Sequence, residues 1–118
     1  MKSLSINDIL QVEDKALEEV EVEEWNGSVF VRIMSMEERS ELEDIFMRVK
    51  SSNKGTGAFR KEMLKRTLVN EDGSLMLDNE ALAIQLMKKS SLAVEKLFEK
   101  ACELNGFREK DVDTLKKK

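Results

Sequence analysis

The sequence contains no histidine, no proline and only one cysteine among its 118 residues. Without histidine the chain lacks the commonest general base and the most frequent metal ligand, so enzymatic functions are disfavoured. Cys102 alone cannot form an internal disulfide, which fits a reducing compartment and excludes a metal site built from cysteines. No stretch approaches the roughly 18 consecutive apolar residues of a membrane span, and residues 1–4 are followed by no apolar leader segment. We therefore expect a cytoplasmic protein whose fold depends on packing.

The composition predicts one soluble globular domain. Hydrophobic residues make up 41% of the chain and charged residues 37%, a balance that implies a real core under a heavily charged exterior. The length suits a single domain over residues 1–118. At its ends we expect a mobile N-terminal arm (1–16) and a mobile C-terminal tail (108–118).

Charge is distributed unevenly along the chain, whose net charge is −4. Residues 1–25 contain eight acidic and two basic side chains, whereas residues 46–70 contain seven basic side chains and one acidic one. The acidic stretch 13–24 and the basic stretch 48–66 either attract each other or each face a partner.

An Asn26-Gly27 pair joins two segments in which apolar and polar residues alternate. This pattern is the strongest short signal for a β-hairpin, here about 17–33. A two-residue turn would place Val22 opposite Val31, and Glu21 opposite Arg32 as a cross-strand charge pair. One face of the hairpin would then be rich in valine, and the other would carry Trp25, Phe30 and the glutamates.

Helical periodicity dominates the rest of the chain, so we predict an α+β fold, mainly helical, with the one hairpin packed on four to five helices. A short helical turn or docking arm is expected at 5–10, and Ser35 with Glu38 forms a capping box for the next helix. Further helices are predicted at about 58–69, from an Asp78 cap to about 88, and from about 91 to a C-cap at Asn105-Gly106-Phe107. A mobile polar loop is expected at 50–57.

None of the candidate chemical motifs is complete. Glu37 and Glu38 lie on a helix face where solvated charge is the usual explanation. Residues 70–73 (NEDG) lack the remaining ligands of a calcium loop, and residues 54–57 (KGTG) lack the ending of a phosphate-binding loop. We therefore predict no catalytic residue, metal or cofactor.

Two kinds of binding surface remain after these exclusions. The basic segment 48–66 suits nucleic acid, although the pI near 5.1 and the single interleaved aromatic, Phe59, count against it. Seven methionines either fill gaps in the core or form an adaptable docking surface for an apolar partner. The candidate partner-binding residues are Trp25, Phe30, Arg32, Met34, Met36, Arg60 and Arg66.

Taken in order along the chain, several short segments resemble the tail assembly chaperones of long-tailed (siphovirus-type) bacteriophages. They are residues 25–27 (WNG) with the following strand, 37–39 (EER), 70–73 (NEDG), 89–91 (KSS), 102–107 (CELNGF) and 109–112 (EKDV). The resemblance covers most of residues 20–113.

The resemblance implies a non-enzymatic function. Such proteins bind the tape-measure protein before the tail tube polymerises around it, keep it soluble, act in the cytoplasm of the infected bacterium and are absent from the mature virion. In this family a ribosomal slip near the end of the gene yields an extended form thought to contact the tail-tube protein, which makes Lys116–Lys118 a candidate slip site. Self-association through the acidic and basic stretches is a further expectation, and a small DNA-associated regulatory protein using residues 48–66 is the alternative function.

Overall fold

The computed structural model describes residues 1–52 and 57–107, which form five α-helices and a three-stranded antiparallel sheet. This confirms the predicted α+β class. The elements are α1 (Ile6–Gln11), β1 (Leu17–Val22), β2 (Gly27–Arg32), α2 (Met36–Ser52), α3 (Gly57–Thr67), β3 (Leu68–Val69), α4 (Glu80–Leu86) and α5 (Ser91–Leu104).

The hairpin forms where it was predicted, but its register is different. Residues Glu23–Trp25 make one turn of 3₁₀-helix, and Asn26 follows in the left-handed conformation with φ 57°. The loop therefore contains the four residues 23–26, and Val22 lies opposite Gly27, four positions before its predicted partner Val31. A shift by an even number of residues leaves the side chains of the two strands on their predicted faces, so the valine face is retained.

The predicted pairing of Glu21 with Arg32 is wrong because of this shift. Glu21 lies opposite Ser28, and Arg32 lies opposite Leu17.

A third strand was not predicted, because residues 68 and 69 were assigned to the end of a helix. Leu68 and Val69 instead pair with Val31 and Phe30, so the strand order is β1-β2-β3. The turn at residues 70–73 returns the chain along this strand, where the Met76 N–H donates to the Leu68 carbonyl at 3.1 Å. Leu68 and Val69 are fully buried, and their backbone groups pair with β2 on one side and with residues 75 and 76 on the other. The last carbonyls of a helix that ended there would lack such partners.

The core lies between the valine face of the sheet and the helices. Helix α5 packs on β1 and β2, and α3 packs on both α5 and α2. Phe59 of α3 is at the centre, with its ring 5.4 Å from that of Phe46, 5.9 Å from that of Phe98 and 6.1 Å from that of Phe107. The sheet and the helices share one core, in which Val22, Val31, Leu42, Leu97 and Phe98 are buried and Phe46 is half-buried against them.

The helix ends follow the local signals closely. The Ser35–Glu38 capping box forms, Ser90 caps α5, and Gly106 has φ 73° with the Phe107 N–H donating to the Cys102 carbonyl at 2.9 Å. The cap of α4 is Asn79, one residue after the predicted Asp78. In the predicted 50–57 loop, residues 50–52 and 57 are helical, and residues 53–56 lie outside the described part of the chain, as does the tail 108–118 with Lys116–Lys118.

Candidate partner-binding surface

The two aromatic candidates of the hairpin are both half-buried. Trp25 lies at the end of the 3₁₀ turn and packs against the core rather than standing on the outer face of the sheet, so its predicted orientation is wrong. Phe30 lies opposite Glu19 and beside Val69. Only part of each aromatic ring is therefore open to a partner.

Arg32 connects the sheet to the start of α2. Its guanidinium donates to Glu38 at 2.6 Å, while the same carboxylate accepts the Ser35 backbone N–H at 2.9 Å. Burial raises the pKa of Glu38, but the bonds from Ser35 and Arg32 outweigh it and hold that pKa below its ordinary value. Arg32 is thus engaged inside the fold.

Met34 lies in the core, where its side chain contributes to packing and offers little surface. The buried amide of Asn105 holds the backbone at Met34 and at Arg32, two residues before it. Its Oδ1 accepts the Met34 N–H at 2.8 Å, and its Nδ2 donates to the carbonyls of Arg32 at 3.2 Å and Ala101 at 2.9 Å. Asn105 was predicted only as part of a helix cap, and no sequence signal shows this long-range role.

Met36 is the only one of the seven candidates that is largely exposed, at 73%. Met47 on the same helix is 60% exposed and was not among the candidates. The two residues are eleven positions apart, close to three full turns, so they lie on one face of α2 about 16 Å apart. Ser40 and Glu43 lie on the same face between the two methionines, and both are exposed, so Met36 and Met47 are separate apolar side chains on a polar surface.

The basic residues of α3 are neutralised by ion pairs within the fold. Arg60 lies 3.2 Å from Glu95 and stacks over the Phe98 ring, and Arg66 binds Glu62 at 2.8 Å. Glu80 accepts from Lys61 at 2.5 Å and Lys65 at 2.6 Å. These bonds lower the pKa of Glu80 to about 2. Because phosphate binding would compete with these pairs, they count against a nucleic-acid surface on α3.

The N-terminal segment exposes several large apolar side chains, whereas Met36 is the one largely exposed side chain among the predicted site residues. None of the residues of α1 is buried, and large apolar side chains are exposed along the whole segment. They are Leu4, Ile6, Ile9, Leu10 and Val12. The sequence indicated a docking arm here, but its residues were not among the candidates because nothing in the pattern distinguished a docked apolar row from an exposed one.

The outer face of the hairpin is acidic. Glu19, Glu21 and Glu23 line an open depression of about 590 Å³ together with Ser28 and the turn. The Ser28 hydroxyl donates to Glu19 at 2.5 Å. On the other side of the hairpin, Glu18 pairs with Lys100 at 2.8 Å and Glu24 with Lys96 at 3.4 Å.

Within residues 1–52 and 57–107, no group of three or more histidine, cysteine or acidic side chains is arranged to hold a metal ion. None of the helices in these ranges is long and apolar enough to cross a membrane.

Comparisons with known proteins give no match: no family model, curated protein or solved structure is significantly similar to the chain. The resemblance to tail assembly chaperones and the function that it implies therefore stay predictions.

Proposed function

We propose that this chain is a non-enzymatic tail assembly chaperone that binds the phage tape-measure protein and keeps it soluble until the tail tube assembles. Exposed apolar surface on a small, highly charged protein supports the proposal most. Thirty-seven per cent of the residues are charged, yet residues 4–12 and the two methionines Met36 and Met47 of α2 present large apolar side chains to solvent. Such patches are typical of surfaces that bind other proteins.

The physical requirement on such a chaperone fits these features. A tape-measure chain is long and helical with apolar stripes, so it aggregates when left bare. A partner that covers the stripes with adaptable methionine and aliphatic side chains, and that adds charge to the complex, keeps it in solution. On this proposal the protein acts in the cytoplasm of the infected bacterium and is absent from the finished virion.

Co-expression tests the proposal. We expect the tape-measure protein of the same phage to move from the pellet to the supernatant and to co-purify with this chain. An unchanged pellet with no complex at any ratio would remove the proposal. Binding to random duplex DNA that is tight at low salt and falls steeply with added salt would favour the regulatory alternative.

The proposed extended form concerns Lys116–Lys118 and needs a separate test. The codons of these lysines and mass spectrometry of the products of the native gene report whether a longer form is made. A single short product would leave contact with the tail-tube protein without support.

A further inference from the structure

Helix α1 is short, and none of its side chains is buried. It spans six residues, and isolated helices shorter than about 12 residues are marginal in water. Its capping box is complete, with the Asp8 N–H donating to the Ser5 hydroxyl at 3.2 Å and the Ser5 N–H donating to Asp8 at 3.0 Å. The cap sets where the helix begins, but no buried side chain holds it against the body.

The exposed side chains of α1 are arranged as a docking face. Ile6, Ile9 and Leu10 recur at the spacing that places them on one side of a helix, and they are 66%, 51% and 73% exposed. Leu4 and Val12 extend the apolar row beyond both ends. A row of this kind is stabilised when another surface covers it, and the same event would stabilise the helix.

Acidic side chains follow residues 4–12 in the chain, and they indicate what kind of surface would cover this segment. Glu13 and Asp14 lie between α1 and β1, and Glu19, Glu21 and Glu23 are exposed on the hairpin. The basic helix α3 of a second copy would be a poor match, since its cations are already paired with carboxylates of their own chain. The complementary surface is therefore apolar and basic, and α3 of a second copy does not supply it.

We propose that residues 4–12, here called the arm, dock on the apolar stripe of a cationic amphipathic helix in a partner protein, while Glu19, Glu21 and Glu23 contact the basic side chains that flank the stripe. The inference deepens the proposed function and rests on it only where the partner is taken to be the tape-measure protein.

Two synthetic peptides test the inference directly. Both have about three heptads with leucine at the core positions, and they carry lysine in one case and glutamate in the other at the flanking positions. Fluorescence anisotropy of the labelled peptides against the full chain gives the two dissociation constants. We expect the lysine peptide to bind at least tenfold more tightly, with an affinity that falls as salt is added.

Three variants locate the binding surface. The triple variant Ile6→Ser, Ile9→Ser, Leu10→Ser should weaken binding of the lysine peptide at least tenfold. Its thermal unfolding should be unchanged, because none of the three side chains is buried. The triple variant Glu19→Gln, Glu21→Gln, Glu23→Gln should weaken binding severalfold and flatten the salt dependence. The control Leu92→Ser removes an equally exposed apolar side chain outside the arm and should bind as the parent does.

Equal affinity for the two peptides, or full affinity in the arm variant, would overturn the inference. Sedimentation equilibrium tests whether a second copy of this chain covers the arm instead. A parent dimer that becomes a monomer in the arm variant would assign the arm to self-association and would also overturn the inference. The proposed function fails separately. A tape-measure complex that survives the arm variant would contradict only the inference, whereas peptide binding without any tape-measure complex would contradict only the function.

Discussion

A single buried amide joins the end of α5 to the end of β2 and to the segment that leads into α2. Asn105 bonds to Met34 and Arg32, which lie 71 and 73 positions away in sequence, and its own carbonyl accepts from the Arg39 guanidinium. Arg39 also stacks over the Phe107 ring at 4.3 Å. The sequence predicted that α5 ends here, because Asn-Gly-Phe is a local signal for a helix end. It did not predict the side-chain bonds, because their partners depend on tertiary packing.

We expect Asn105→Ala to lower the free energy of unfolding by about 1–3 kcal/mol, since it leaves the buried Met34 N–H without a partner. Urea denaturation followed by circular dichroism measures the change. Gln85→Ala, an exposed control on α4, should stay within about 0.5 kcal/mol of the parent. If Asn105→Ala also stayed within about 0.5 kcal/mol of the parent, the amide would not be what holds the end of α5 to the segment before α2.

Local signals predicted the elements better than their pairing. The cap at Ser35 and the helix end at Asn105-Gly106-Phe107 depend on a few neighbouring residues, and both were predicted. The hairpin register depends on whether residues 23–26 form a four-residue loop, and β3 depends on an edge of β2 that residues 68 and 69 can join. Neither condition can be seen within a short sequence window.

The contact between α3 and α4 should be sensitive to acid. The bonds from Lys61 and Lys65 lower the pKa of Glu80 from 4.5 to about 2, so this group stabilises the folded state above pH 4.5 and loses that effect as the pH falls towards 2. Thermal unfolding of the parent and of Glu80→Gln should therefore differ most near pH 6 and converge near pH 2.

The same comparison with Glu71→Gln, an exposed turn residue, is the control and should show little difference at either pH. A difference between the parent and Glu80→Gln that stays constant from pH 6 to pH 2 would contradict the assigned role of the carboxylate. Added salt should reduce the difference at pH 6, because the pair is exposed to solvent.

In the molecule as a whole, one hydrophobic core joins the sheet to the helices. Helical and alternating periodicity predicted its members, since burial of an apolar face is the main stabilising effect in a domain of this size. Which apolar residues stay outside could not be predicted, because Ile6 and Ile9 have the same spacing as a buried face.

Replacing Phe98 with alanine should lower the free energy of unfolding by about 3–5 kcal/mol, since its fully buried ring contacts that of Phe59. Phe30→Ala, at a half-buried position on the hairpin, is the matched control and should have a clearly smaller effect. Denaturant unfolding of both variants measures the difference, and a loss under about 1 kcal/mol for Phe98→Ala would contradict the packing described here.

The proposed function requires this molecule to bind an aggregation-prone helical partner and to keep it in solution. Light scattering after dilution of unfolded tape-measure protein into buffer tests it most directly. We predict that an equimolar amount of this chain suppresses the scattering, and that the variant Ile6→Ser, Ile9→Ser, Leu10→Ser suppresses it much less. Scattering that rises equally with and without the parent chain, at every ratio tested, would contradict the claim.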